Sequence, residues 1–535
     1  MTQTASRRAL AIRLAAGLIT IIISLPLLLI LAGIFTPDAE VWSHLRQFVL
    51  PGLVRNTILL TLGVVLGAGT LGVSLAWLSS QYYFPLSNWF RWLLMLPLAM
   101  PAYVLAFVQV GLLDYTGPVQ SALRGLFGES LPVLQIRSLG GAMMVLSLSF
   151  YPYVFLLARN AFESQGMRHY EVAQTLGISP GRAFFRLALP MARPWIASGL
   201  LLVTMESLAD FGAVYILGVD TLSIGIYQSW FALFSLPAAF QLASLLLLAA
   251  LALLLLEQKQ RAQRRYFQTP NDRPAGRRHL SPVKRWLAFS FATGVLLAAF
   301  VVPLLQLLSW TIGIFSIEWD SRYIQFLSHS LLLAMACVVL VLAAGLLIAY
   351  QSHRFNDPWS RMSMAICTVG YGIPGAVLAV AVFSTISQLD RLLVDGLGLA
   401  SNQLLVGTVL ATLAGLSIRF MSVGVAPLAS GFARISPSLE QTARSLGSRG
   451  FDLIRRLYLP LLQNGLITAA LLVFVDVMKE MPITLMTRPF GLNTLSIRIF
   501  ELTSEGEWQR AALPAVTLVV VGLIPAILLA RRKIE

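Results

Sequence analysis

The chain has 535 residues, 57% of them hydrophobic and 12% charged, with a mean hydropathy of +0.77. Soluble domains are about 45–50% apolar and about 25% charged, so these values exclude a soluble enzyme, a disordered chain and a coiled coil. The net charge of +15 does not by itself indicate nucleic acid, because polytopic membrane proteins concentrate Lys and Arg in cytoplasmic loops.

Apolar runs follow one another at 11–34, 57–79, 92–113, 138–158, 195–218, 237–256, 287–315, 330–350, 362–386, 404–427, 464–486 and 512–530. Each is about as long as a membrane-spanning helix requires. The first run follows Arg7, Arg8 and Arg13, like a signal-peptide n-region. It is too long for an h-region and reads as an uncleaved signal anchor. Cys337 and Cys367 lie in apolar runs, without the spacing of a zinc site or a disulfide framework.

Twelve spans with a cytoplasmic N-terminus place 28 of the 39 Lys and Arg in cytoplasmic segments and 9 in external loops. Arg419 and Lys479 fall within spans or at their rims. That bias is what the positive-inside rule expects, with both termini cytoplasmic. It explains the basic balance without nucleic acid. The stretch 257–286 is basic, carries Pro270, Pro274, Gly276 and Pro282, and reads as a cytoplasmic linker.

The linker divides the chain into two similar halves. At an offset of 270, Ala173-Gln174-Thr175-Leu176-Gly177 lies over Ala443-Arg444-Ser445-Leu446-Gly447. The same offset lays Arg186 to Pro190 over Arg456 to Pro460. At an offset of 273, Pro101 meets Pro374, and Thr221-Leu222-Ser223-Ile224 meets Thr494-Leu495-Ser496-Ile497. Six spans per half make this a parallel repeat, with a pseudo-twofold axis along the membrane normal.

The matched loop between the fourth and fifth spans of each half predicts a helix, a break and a second helix. Gly177 is placed as a left-handed C′ residue. Ser179 is placed as the next N-cap, with Pro180 at the first helical position. Leu189-Pro190 is expected to end the second helix and turn the chain into the fifth span.

These segments resemble the coupling loop of ABC importer permeases, in which a Gly is followed thirteen residues later by the Pro of a Leu-Pro pair. That spacing runs from Gly177 to Pro190 and again from Gly447 to Pro460. The first copy carries Glu171-Val-Ala173. In the second, Gln441 takes the position of Glu171, and Glu440 and Ala443 stand nearby. A shift of one residue turns a helical side chain by about 100°, so the two acids are not expected to make the same contact. The stretch from Leu96 through Pro101 to Phe107, with Asp114-Tyr115 and Pro118, looks like the fused ferric-iron permeases of bacteria. Thiamine permeases share the two-in-one arrangement.

The resemblance implies an all-α polytopic protein of two six-helix repeats, each of the ABC type-1 permease fold. Residues 1–53 would form the N-terminal tail, first span and external loop, and 54–256 the first domain. The linker over 257–286 would follow, then the seventh span and its loop over 287–326. The second domain would take 327–530 and a cytoplasmic tail 531–535. It further implies a bacterial inner-membrane location, two copies of an ATP-binding partner subunit, a periplasmic substrate-binding protein and no cofactor. No Gly-x4-Gly-Lys-Ser/Thr occurs in the sequence, so hydrolysis of ATP falls to the partner.

Intramembrane acids are the default pathway candidates. The fifth spans carry Glu206 and Asp210 in the first half and Asp476 and Glu480 in the second, and Asp210 aligns with Glu480 at the offset of 270. Lys479 could pair with Glu480. An ion-coupled secondary transporter, which also uses repeats, is the alternative class.

Overall fold

The computed structural model describes residues 2–35, 39–128, 135–164, 179–262, 277–355, 357–398, 404–448 and 451–531. The first helix is α1 (Thr2–Ala32). It is followed by α2 (Leu50–Gln81), α3 (Ser87–Leu93), α4 (Ala102–Leu113), α5 (Leu139–Ser164), α6 (Leu189–Ala209), α7 (Gly212–Ile216), α8 (Leu222–Phe231) and α9 (Leu236–Ala262). The second half runs through α10 (Pro282–Leu296), α11 (Val302–Glu318), α12 (Ser321–Phe355), α13 (Pro358–Val369), α14 (Gly375–Leu397) and α15 (Val409–Phe432). It ends with α16 (Pro437–Ser445), α17 (Leu459–Lys479), α18 (Pro482–Thr487), α19 (Leu495–Ser504) and α20 (Ala512–Arg531).

Among the described residues, eleven helical stretches are long and apolar enough to cross a membrane, and Ala512–Ile524 forms a shorter apolar one. The chain is therefore an all-α polytopic membrane protein.

Two compact units form, and they do not coincide with the two halves. One contains Met1–Ala39, Ile226–Leu247 and Asp320–Arg498; the other contains Glu40–Gly225, Leu248–Trp319 and Ile499–Glu535. The first unit thus combines the core of the second repeat with the first span and most of the sixth. The second unit combines the core of the first repeat with the seventh span and the last.

Polar contacts inside each unit account for this regrouping. In the first unit α1 packs on α12, α13 and α14. The Thr20 and Ser363 hydroxyls lie 2.6 Å apart, and the Ser244 hydroxyl donates to the Ile30 carbonyl at 2.6 Å. Arg13 meets the Asp357 carboxylate at 2.7 Å. The hydroxyl and amide of Ser360 first, then Arg13, hold the Asp357 carboxyl below its usual range. In the second unit α11 packs on α4 and α20. There the Gln109 amide donates to the Ala298 carbonyl at 2.8 Å, and Arg510 pairs with Glu318. Hydrogen bonds of this kind hold apolar helices in register where lipid offers no partner.

Each unit is centred on three mutually packed helices: α12, α15 and α17 in the first, α2, α5 and α6 in the second. Equivalent glycines stand where these helices cross. A Cβ on Gly72 would lie 2.9 Å from the Tyr151 carbonyl oxygen, and one on Gly345 would lie 3.3 Å from Val425.

Prolines shape the helices in two ways. Pro101 and Pro374 break the third span of each half. A short 3-10 turn precedes each, and each proline is the N-cap of the helix that follows. Four other prolines follow π-turns, at 45–49, 184–188, 297–301 and 454–458. In each, an N–H reaches back five residues, and Pro51, Pro190, Pro303 or Pro460 comes next. The expectation that Leu189-Pro190 ends a helix is therefore corrected. The chain stays helical from Gly181 to Ala209. A proline lacks one donor and its ring strikes a carbonyl in the preceding turn. The widened turn moves that carbonyl aside.

The basic linker is partly structured. α9 runs through Ala262, while residues 263–276 lie outside the described residues. Strand β1 (Tyr82–Tyr83) pairs in parallel with β2 (Arg278–His279). The Tyr83 and His279 rings stack at 5.1 Å, and Arg277 donates to the Asn88 side chain at 2.9 Å.

Candidate functional site

The loop between the fourth and fifth spans is described in its second copy, apart from residues 449 and 450. Ser436 is the N-cap of α16, with Pro437 at its first position. The helix ends in a Schellman motif. The Ser448 N–H donates to the Ala443 carbonyl at 3.0 Å, and the Gly447 N–H donates to the Arg444 carbonyl at 3.1 Å. Gly447 takes φ +89°, a conformation that other residues rarely adopt. A Cβ there would meet nothing within 4 Å, so the backbone alone requires the glycine. In the first copy, Glu171, Ala173 and Gly177 lie outside the described residues. The Ser179 carbonyl accepts the Ala183 N–H at 2.9 Å, as at an N-cap. Pro190 and Pro460 both sit just inside the continuous fifth-span helices.

α16 has two faces. Leu439, Thr442 and Leu446 form an exposed stripe at helical spacing, with Gln441 and Ser445 exposed beside it. Glu440, Ala443 and Arg444 point inward. Ala443 packs on a cluster formed by Ala349, Leu428, Phe432, Ile435, Leu453, Tyr458 and Leu462. Glu440 is buried and accepts from Arg354 at 3.2 Å and from Arg444. The shift of the acid by one residue thus turns Glu440 inward and leaves the polar Gln441 outward.

The fifth spans end alike in both repeats. α6 stops at Asp210 (φ −66°, ψ 131°) and α17 stops at Glu480 (φ −69°, ψ 130°). A short helix starts two residues later in each case. The Asp210 Oδ1 accepts the Val214 N–H at 3.0 Å. Glu480 accepts the Ile483 N–H at 2.9 Å, and the Thr484 N–H and hydroxyl at 3.2 Å each. Each carboxylate therefore caps the N-terminus of α7 or α18, where the free amides and the helix dipole favour negative charge.

The repeated Thr-Leu-Ser-Ile motif closes this junction. The Ser223 hydroxyl donates to the Asp210 carbonyl at 2.7 Å, and the Ser496 hydroxyl to the Glu480 carbonyl at 2.8 Å. The Leu222 N–H donates to the Thr57 hydroxyl at 3.0 Å, and the Leu495 N–H to the Ser330 hydroxyl at 2.8 Å. The four hydroxyl residues were not among the sequence-based site residues. The match of the motif at 273 is the signal for Ser223 and Ser496.

Glu206 and Asp476 stand one turn before these caps, both half-buried. Lys479 interacts with Asp476, and the cation that acts on Glu480 is Arg419. No group of three or more metal-ligating side chains forms among the described residues.

Residues 68–262 and 341–532 each match the family described as the inner membrane component of binding-protein-dependent transport systems. Among similar proteins is the Fe(3+)-transport system permease protein FbpB 2 of Haemophilus influenzae, 26% identical over 89% of each chain. The ferric transport system permease protein FbpB of Actinobacillus pleuropneumoniae is 22% identical over 80% of this chain and 63% of its own length. The sulfate transport system permease protein CysT of Escherichia coli is 27% identical and covers 48% of this chain with 94% of its own. With two matches that together span most of its length, the chain belongs to the family of inner membrane components of binding-protein-dependent transport systems, and it carries that permease domain twice.

Proposed function

We propose that the chain is the permease of an ATP-driven importer of ferric iron in the bacterial inner membrane, with both termini cytoplasmic. A periplasmic binding protein delivers the ion, and two copies of an ATP-binding subunit dock on the two coupling loops. The observation that carries the substrate is coverage. A ferric permease aligns with 89% of this chain from 89% of its own, whereas the sulfate permease aligns with half of it.

Binding of ATP draws the two coupling loops together and rocks the repeats about a central path. Each partner shifts that equilibrium only through its differential affinity for the two states. Glu171, Ala173, Gly177 and Pro190 belong to one coupling loop, and Glu440, Ala443, Gly447 and Pro460 to the other. Glu206, Asp210, Asp476 and Glu480 are the proposed acids of the path. Carboxylates lower the barrier for a hard cation, which prefers oxygen ligands, and raise it for oxyanions.

Uptake of radiolabelled ferric iron by cells lacking other iron importers tests the substrate. Uptake that depends on this chain and on ATP supports the reading. Uptake of thiamine or sulfate in its place overturns it, and uptake abolished by an uncoupler with ATP maintained identifies an ion-coupled carrier. Asp210→Asn with Glu480→Gln is expected to lower iron uptake at unchanged protein level. Gly447→Val is expected to insert normally and to lose the ATP-binding subunit, because a β-branched residue at that φ is strained by about 1–3 kcal/mol.

A further inference from the structure

Glu440 is the acid of the second coupling loop, yet its carboxylate does not face outward. It is enclosed by Arg354, from the last turn of α12, and by Arg444, one turn further along α16. The exposed surface of α16 is the stripe of Leu439, Thr442 and Leu446 with Gln441 and Ser445. The triad thus bridges the loop helix to α12, one of the three helices at the centre of its unit. Beneath it lies the apolar cluster around Phe432 and Tyr458, contributed by α12, α15 and the start of the fifth span.

The matching positions of the first repeat carry no such charges. Arg354 corresponds to Gln81 at the offset of 273, and Glu440 and Arg444 correspond to Tyr170 and Gln174 at 270, none of them charged. The first repeat uses its ions elsewhere, with Glu163 held by Arg91 at 2.5 Å and by Arg159 at 3.6 Å.

We infer that Glu440 is a positioning residue that ties the second coupling helix to α12 through Arg354 and Arg444, and that it makes no contact with the ATP-binding subunit. The docking face is the apolar stripe. The ion triad passes displacement of that face into the core of the second repeat. A buried carboxylate between two guanidinium groups suits this task, since removing one partner leaves an uncompensated charge and the helix cannot slide freely.

The inference rests on the coupling reading above, and the test separates the two. The permease is co-expressed with its ATP-binding subunit, purified as the complex and reconstituted in liposomes. Its cognate periplasmic binding protein, carrying the solute with which it leaves the cell, is the probe. Glu440→Gln and Arg354→Met are expected to retain the ATP-binding subunit at the wild-type ratio. Stimulation of ATP hydrolysis by the binding protein should fall about tenfold in each, the range expected for a coupling element. The double variant should be no worse than either single one, because both break one tie. Glu440→Asp, which keeps the charge, should recover most of the stimulation.

Loss of the ATP-binding subunit from Glu440→Gln but not from Arg354→Met would place Glu440 in the docking face and overturn the inference. Wild-type stimulation in both single variants would overturn it as well. Failure of the coupling reading has another signature. Leu446→Glu on the exposed stripe would then keep both the ATP-binding subunit and full stimulation.

Discussion

The two broken fifth spans share one backbone design and differ in the side chains packed around it. In the second repeat Glu480 stands beside Arg419, Gly375 and Pro482. A Cβ on Gly375 would lie 2.7 Å from Pro482, 2.8 Å from Arg419 and 2.9 Å from Glu480. In the first repeat the corresponding residues are Asp210, Ser149, Ala102 and Gly212. Where the second repeat needs a glycine on α14 to admit a guanidinium and a proline, the first carries an alanine on α4, opposite a glycine. α7 packs on α4 as α18 packs on α14. The small residue has changed sides, and the cation is present in one copy alone. Duplication preserved the hydrogen-bonded scaffold, whereas charge balance drifted with the local volume.

The comparison can be broken at several points, each read from thermal unfolding of the purified full chain in detergent. The largest effect is expected for Arg419→Met, which removes the guanidinium beside the buried Glu480 carboxylate and its hydrogen bond to the Ile373 carbonyl, at a cost of about 2–3 kcal/mol. Ser149→Ala at the matching position should stay within about 1 kcal/mol. Equal losses at the two positions would show that Arg419 does not compensate Glu480.

Gly375→Ala comes next. It must displace Arg419, Glu480 or Pro482, and overpacking of this kind costs about 1–3 kcal/mol. Ala102→Gly in the first repeat adds only backbone freedom, about 0.5–1 kcal/mol. If Gly375→Ala is the milder of the two, the crowding around Gly375 is not real.

Ser223→Ala and Ser496→Ala sharpen the shared part. Each removes the hydrogen bond to the carbonyl of a capping acid and the contact with the threonine hydroxyl of the motif, and each should cost about 1–2 kcal/mol. A clear inequality would mean that the junctions are not equivalent. The smallest effect is expected for Pro190→Ala and Pro460→Ala. The π-turn already accommodates each proline, so the change should stay below about 1 kcal/mol, with the helix intact by circular dichroism.

Much of this was legible in the sequence. Period-free apolar runs of span length and low charge content dictated a polytopic helical protein, because only helices or closed barrels satisfy backbone groups in lipid. The matched segments at 270 and 273 exposed the duplication. Gly447 was legible as a left-handed residue, since the turn is local and its chemistry depends on one φ angle. Thr-Leu-Ser-Ile was visible as a match without a meaning. Its serine hydroxyls act on a carbonyl 13 residues away in one copy and 16 in the other, and its leucine N–H groups donate to hydroxyls of a distant span.

What tertiary structure alone decided is which groups meet across the chain. The fate of Leu189-Pro190 depended on a π-turn that no single residue announces, because a proline may end a helix or be absorbed by a wider turn. The assignment of the first span to the core of the second repeat rests on contacts such as Thr20 with Ser363, 343 residues apart. The inward turn of Glu440 followed from its helical position, yet its partner Arg354 lies 86 residues earlier. Local composition and spacing determined the helices, the repeat and the turns, since those depend on neighbours along the chain. The pairing of ions and the exchange of spans depend on which surfaces are brought together, and a linear pattern does not encode that directly.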